Sequence, residues 1–409
     1  MTGLVLVVFA AVYLGMAIGR WPGLRVDRTG IALLGAILLY GTGALDGAAV
    51  LAAIDFPTLV VLFGLMILSA QFAACGFYDW CSVRIATAGM PPAALLGITV
   101  AAAGILAAVL ANDVVVFAMT PMLCAGLIRR GLDPRPFIIA LAGGANAGSA
   151  ATIIGNPQNI LIGEIGQLNF WPFLIACAPP ALAGLASVHV VVWWQWRKHF
   201  VATGALDGSL ATLELDRPGL AKASFATVLL LVLFATPLPH VEGVLLVAGF
   251  LLISRRLATR TMLGLVDWHL LVLFGGLFVV TAALAATGLP GDAILWLEAQ
   301  GLRAESLAVL APLTLIGANS IGNVPLVVLL LAVVPSMSEG AFYALAVLST
   351  LAGNLLVVGS LANIIAVERA RDAGVVLRFA EHARCGVPMA LLSLLLALAW
   401  LALMGYVQI

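Results

Sequence analysis

The sequence predicts an all-α polytopic membrane protein built from two inverted repeats, each with a re-entrant helical hairpin and a broken transmembrane helix. Three observations predict it: the composition, the placement of the basic residues, and polar patches recurring at matched spacing in both halves. Of 409 residues, 63% are hydrophobic and 9% charged, and the mean hydropathy is +1.16. Soluble domains run nearer half apolar and a quarter charged, so the solvent for this surface is lipid. A formal net charge of zero argues against a nucleic-acid partner. The five cysteines (Cys75, Cys81, Cys124, Cys177, Cys385) are scattered without C-x-x-C spacing and read as buried thiols rather than metal ligands.

Apolar segments fall near 3–19, 30–44, 57–75, 93–128, 137–165, 171–196, 222–236, 241–254, 267–288, 305–335, 341–366 and 385–406. Most suit one helical crossing of about 20 residues. The first does not read as a cleavable signal, because no basic region precedes it and Arg20, Arg25 and Arg28 follow it. Those arginines retain its far end in the cytoplasm, so the first span runs from outside to inside. Segments 93–128 and 305–335 are too long for one crossing, and each is interrupted only by a short polar patch, Asn112-Asp113 or Asn319 to Asn323. Threading each as a hairpin that leaves on the side it entered places eighteen of the nineteen Lys and Arg on the cytoplasmic face, with Arg303 alone outside. A single long crossing would put Arg129, Arg130 and Arg135 on the wrong face, against the positive-inside rule. This threading leaves both termini outside a multi-pass cell (inner) membrane protein. The chain then divides into N-terminal scaffold helices (1–49), a first repeat (50–196), a cytoplasmic linker (197–221) and a second repeat (222–409), all in one integrated transmembrane domain.

The repeat is visible in the residues. Val61-Leu62-Phe63-Gly64 recurs as Val272-Leu273-Phe274-Gly275, after Asp55 and Asp267 respectively. Gly64 to Asn112 is 112 − 64 = 48 residues, and Gly275 to Asn323 is 323 − 275 = 48. In this threading the first hairpin opens to the cytoplasm and the second to the exterior, so the repeats are inverted, as in many secondary transporters. Stretches 77–89 and 291–300, with tryptophan and charge together, suit helices in the interface.

Asparagine marks the site. The nine lie at 112, 146, 156, 159, 169, 319, 323, 354 and 363, and all but Asn169 fall in the two hairpins and the segment after each. A side-chain amide in hydrocarbon is costly unless paired, and irregular backbone survives there only around a cavity or inside protein. The segments after the hairpins are broken, at Gly155-Asn156-Pro157-Gln158-Asn159 and at Gly353-Asn354 through Gly359-Ser360-Leu361-Ala362-Asn363. Proline removes a donor and disfavours helix before it. Half-helix N-termini can hold an anion, while freed carbonyls and amide oxygens can coordinate Na+. The candidate binding residues are Asn112, Asp113, Thr152, Asn156, Asn159, Asn319, Asn323, Asn354, Ser360 and Asn363. Asp113 reads equally as a proton or cation coupling group or as the N-cap of the returning leg. Asp55, Asp267 and Glu242 read as solvated ends at membrane boundaries, and Glu164 as interfacial. The bland alternative for each asparagine is a hydrogen bond joining packed helices.

Ala111-Asn112-Asp113 with Met119-Thr120-Pro121, Ala151 through Asn159, Gly322-Asn323-Val324-Pro325 and Gly359 through Asn363 together resemble the citrate-transporter-like branch of the ion transporter superfamily. Its members include arsenite/antimonite efflux permeases, sodium-coupled dicarboxylate symporters and sodium/proton antiporters. The resemblance covers roughly residues 50–405 and implies a scaffold domain, a transport domain holding both hairpins, elevator-type alternating access and a homodimer. Where the dicarboxylate symporters carry Ser-Asn-Thr at both tips, this chain reads Ala111-Asn112-Asp113 and Gly322-Asn323-Val324. The missing hydroxyls weigh against a di- or tricarboxylate and toward an inorganic oxyanion or metalloid hydroxide. The expected function is an ion-coupled secondary transporter of a small anionic solute, coupled to Na+ or H+ and using no cofactor. The alternatives are an arsenite/antimonite efflux permease or a sodium/proton antiporter. No H-E-x-x-H or Ser–His arrangement suggests an enzyme.

Overall fold

The computed structural model describes all residues except 20, 22, 201–214, 237, 335–336 and 408–409, and its regular elements are helical. In chain order they are α1 (Thr2–Ile18), α2 (Arg28–Gly41), α3 (Gly47–Ala53), α4 (Phe56–Ala74), α5 (Phe77–Thr87), α6 (Pro92–Val109), α7 (Asn112–Arg129), α8 (Arg135–Ser149), α9 (Pro157–Ile165) and α10 (Phe170–Trp196). There follow α11 (Arg217–Phe234), α12 (His240–Leu252), α13 (Thr259–Gly264), α14 (Trp268–Ala285), α15 (Leu289–Ala299), α16 (Leu307–Ile321), α17 (Asn323–Val333), α18 (Glu339–Ala352), α19 (Leu361–Asp372) and α20 (Phe379–Leu403). Among the described residues, seven of these are long and apolar enough to cross a membrane unaided. Ile105, Leu182, Val228, Ile316 and Leu395 stand exposed on their helices, a distribution that only lipid tolerates in this number. The protein is a multi-pass membrane protein.

The long apolar segments are hairpins. At 93–128 the chain reverses between α6 and α7 through extended Leu110 and the following Ala111. At 305–335 it reverses on Gly322, whose φ of +95° favours a residue without a Cβ. Asn112 and Asn323 each open the returning leg. The N-cap of α7 is Ala111, without a side-chain cap bond, so Asp113 is not the cap of that leg. Two of the three carboxylates read as solvated ends are N-caps: Asp55 accepts from Thr58 N at 2.8 Å and Asp267 from Leu270 N at 3.0 Å. Each follows a short helix, α3 or α13, that hydropathy does not reveal.

Hairpin and broken helix are pressed together where backbones can touch. A Cβ on Gly148 of α8 would lie 2.3 Å from the Gly104 backbone of α6. The stretch expected at the interface is helical over Phe77–Thr87 and packs on the hairpin, its Ser82 hydroxyl donating to Met119 O of α7 at 3.3 Å. Glu164 is buried within the protein and pairs with His240 at 3.0 Å. Helix α19 continues to Asp372, past the expected boundary at 366, so Arg369 and Arg371 belong to its last turn.

Candidate functional site

Both breaks are built alike. After α8 the chain leaves helix, and α9 restarts at Pro157 with Asn156 as extended N-cap, its side chain accepting from Asn159 N at 2.8 Å. After α18 it passes one 3-10 turn (Val357–Gly359), and α19 restarts behind extended Ser360. Asn159 Nδ2 donates to the carbonyls ten and seven residues back, Ser149 O (3.2 Å) and Thr152 O (2.9 Å). Asn363 Nδ2 does the same to Gly353 O (2.9 Å) and Leu356 O (3.2 Å). Each amide thus caps carbonyls that the interruption has orphaned. The glycines agree: a Cβ on Gly155 would meet Ser149 O at 2.2 Å, and one on Gly359 would meet Gly353 O at 2.9 Å. All these pairs are related by one offset, 363 − 159 = 204 residues.

The breaks meet at Asn146, which is 0% exposed. Its Oδ1 accepts from Asn112 Nδ2 (3.2 Å) and Ser360 Oγ (2.9 Å). Its Nδ2 donates to Asn354 Oδ1 (2.8 Å) and Asn363 Oδ1 (3.2 Å). Two donor hydrogens and two lone pairs are thereby all used. A second cluster lies across from it, where Asn156 Nδ2 donates to Ser149 Oγ (2.9 Å) and Thr350 Oγ1 (3.3 Å), and Gln158 Nε2 also reaches Thr350 Oγ1 (3.2 Å). Under the same offset, Thr350 corresponds to Asn146 and Ser360 to Asn156. The contacts Asn146–Ser360 and Thr350–Asn156 are therefore one contact made twice with the halves exchanged, as an approximate two-fold requires.

The hairpins are stitched to the breaks. Asn112 N donates to Gly155 O at 3.2 Å and Thr152 Oγ1 to Ala108 O at 2.5 Å. On the other side Asn319 Nδ2 donates to Ala352 O (2.9 Å) and its Oδ1 accepts from Leu356 N (3.1 Å). Asn323 stays apart: its Oδ1 accepts from Val324 N at 3.0 Å, and among the described residues its side chain bonds to neither break. Two oxygens of this cluster remain without partners among the described residues, Asn112 Oδ1 and Asn159 Oδ1, on residues 2% and 0% exposed. A buried polar atom left in that state costs about 1–3 kcal/mol, which a bound ion or solute would offset.

Asp113 faces open space. With Ala70, Phe117, Leu265, Asp267 and Ile365 it lines a cavity of about 280 Å³. A narrow continuation, again with Asp113 and Asp267, runs between α4 and α9 to Asn156 and Pro157. Arg369 stands over the Phe117 ring, 4.2 Å from its centroid. No Lys or Arg lies in either break; four helices, α7, α9, α17 and α19, begin at the polar patches.

Of the residues singled out by sequence, Asn112, Asn354, Ser360 and Asn363 converge on Asn146. Thr152, Asn156, Asn159 and Asn319 hold the breaks, and Asp113 faces the cavity. Sequence reasoning missed the hub itself. Asn146 was one asparagine among nine and adjoined no proline or glycine-asparagine break, and its equivalent Thr350 looked like any helical threonine. Asp267 was also missed, because hydropathy placed it at a span's end.

Known proteins resemble this chain along nearly its whole length. Inner membrane protein YbiR of Escherichia coli (strain K12) is 31% identical over 372 residues, covering 87% of this chain and 88% of that protein. The silicon efflux transporter LSI3 of Oryza sativa subsp. japonica is 27% identical, covering 90% and 91%. The crystal structure of the Alcanivorax borkumensis YdaH transporter, described as having an unusual topology, superposes with a TM-score of 0.54 at 14% identity, covering 99% of this chain and 97% of that one; it attests the fold. Residues 4–352 match the citrate transporter family CitMHS, and with the polar breaks above, the chain belongs to that family of transporters.

Proposed function

We propose that the chain is an ion-coupled secondary transporter that carries a small hydroxylated inorganic solute, an oxyanion or metalloid hydroxide, through the amide cluster at mid-membrane. The observation that carries this reading is that two amide oxygens of the cluster, Asn112 Oδ1 and Asn159 Oδ1, are buried without partners among the described residues, where hairpin tip meets broken helix. Amide oxygens and freed carbonyls suit Na+ or a solute's hydroxyl groups, while helix N-termini balance a modest negative charge. A citrate-like trianion would want guanidinium partners, which the breaks lack. Similarity to a silicon efflux transporter supports the same solute class.

In this reading the repeats are inverted in the membrane, both termini lie outside a cell membrane, and the elements holding the two breaks move as one body. Asp113, whose carboxylate makes no hydrogen bond among the described residues and shares its cavity with Asp267, is the proton or cation coupling group. That cavity also favours a second reading, sodium/proton exchange. Proteoliposomes with imposed sodium and proton gradients, offered arsenite, silicic acid, phosphate, sulfate or citrate, test both. Solute flux driven by either gradient supports the proposal. A luminal pH change on adding sodium without solute selects exchange, and flux indifferent to both gradients removes coupling.

A further inference from the structure

A second polar cavity, of about 230 Å³, lies away from the amide cluster, where the start of α11, the end of α12 and the end of α4 meet. Its wall holds three cations, Lys222, Arg255 and Arg256, against one carboxylate, Asp216. Arg256 Nη1 donates to Asp216 Oδ1 at 3.1 Å, which uses one of five guanidinium donors. The Lys222 ammonium donates to Leu251 O and Ile253 O, both at 2.7 Å, and so completes the end of α12. One of its three donors is left over. Arg255 is exposed and makes no ion pair among the described residues. Among the described residues the cavity therefore carries two uncompensated positive charges and a set of unused donors. Phosphate oxygens match such a set.

What surrounds the cavity says which phosphate. Ile253, itself part of the wall, is 80% exposed. Phe250 and Leu246 continue one face of α12 at helical spacing, and both are exposed. Alongside, Phe225 of α11 meets Phe250 edge to face with ring centroids 5.6 Å apart, and Val228 and Val232 extend its exposed face. Two apolar tracks thus run from the charged cavity along the helices. A free phosphate has no use for them, whereas the acyl chains of a lipid lie along such a surface. We propose that this cavity binds the phosphate headgroup of an anionic phospholipid, with Lys222, Arg255 and Arg256 around the phosphate and the chains along α11 and α12. Basic pockets between helices at the cytoplasmic edge take anionic headgroups in this way, and the positive-inside threading puts these residues on that edge. The site is independent of what the amide cluster carries.

The test is native mass spectrometry of the full chain released from neutral detergent after exposure to phosphatidylglycerol, phosphatidylcholine or inorganic phosphate. The wild type should retain phosphatidylglycerol in preference to phosphatidylcholine. Arg255→Gln with Arg256→Gln should weaken that retention about thirtyfold, at the strength of two basic side chains near an anionic lipid. Should the double variant not fold, Arg255→Gln alone, which breaks no ion pair, should weaken it about fivefold. Arg260→Gln, basic and outside the cavity wall, should change nothing. Equal retention by wild type and Arg255→Gln, or loss in Arg260→Gln alike, overturns the site. Displacement of the lipid by millimolar phosphate, with the anion held by the same arginines, overturns the lipid assignment.

Discussion

Replacing Asn146 with alanine removes four hydrogen bonds at once, two accepted and two donated, at a position with no exposure to solvent. Hydrogen bonds between helices in membranes average about 0.6 kcal/mol and reach about 1.7, so the loss comes to about 2–7 kcal/mol. At about 2 °C per kcal/mol, the low end for large domains, the unfolding midpoint in detergent falls by roughly 4–14 °C. Flux falls with it, because Asn112, Asn354, Ser360 and Asn363 lose the one group that holds both breaks in register. Asn146→Asp separates the causes. It keeps the acceptors for Asn112 and Ser360 but turns an oxygen toward the amide oxygens of Asn354 and Asn363, so it should be at least as damaging as alanine despite equal size. The assay is heat challenge followed by size-exclusion chromatography, with flux measured in proteoliposomes. An unchanged midpoint and full flux in Asn146→Ala would refute the view that this residue ties the halves together.

Three further outcomes are expected. Asn112→Ala removes one hydrogen bond and should cost only about 0.6–1.7 kcal/mol, yet abolish flux, because it deletes an oxygen kept for a ligand; normal flux would make that amide structural. Gly64→Ala puts a Cβ 2.0 Å from Val244 Cγ1, whereas Gly275→Ala meets nothing within 4 Å. The first should lose about 1–3 kcal/mol of stability and the second should be silent or slightly stabilising, as thermal midpoints would report. Glu305, at the foot of the second hairpin, is held below the usual carboxylate range by the Ser338 N–H and then by Arg303. A depressed carboxyl stabilises above its unfolded value of about 4.3 and ceases to do so as pH falls through its folded value. Glu305→Gln should therefore lower the midpoint near neutral pH and converge on the wild type in acid, whereas a pH-independent gap would contradict this.

The sequence was most legible where physics leaves one solution. Residues 93–128 had to turn back because no polar loop within them could serve two crossings, and the turn lies at Leu110-Ala111 beside the polar patch. The equivalence of Asn159 and Asn363 was readable from Gly155 and Gly359, four residues before each, and the paired capping of carbonyls follows from it. What could not be read was the partner of each amide. Asn146 becomes a hub only because α8 and α19 bring Ser360 and Asn363 to it across more than two hundred residues of chain, a proximity that no local spacing encodes. Asn323 shows the converse, since its place in the repeat matches Asn112 while its amide turns back on Val324. Helices α3 and α13 were invisible because seven- and six-residue helices are too short to register in hydropathy.

A density map of the protein in lipid nanodiscs, with and without the solute that proves to be transported, tests the central claim most directly. The account predicts new density within bonding distance of Asn112 Oδ1 and Asn159 Oδ1, between the first hairpin tip and the break at Asn156. Solute bound elsewhere, with both oxygens still unpartnered, would contradict it.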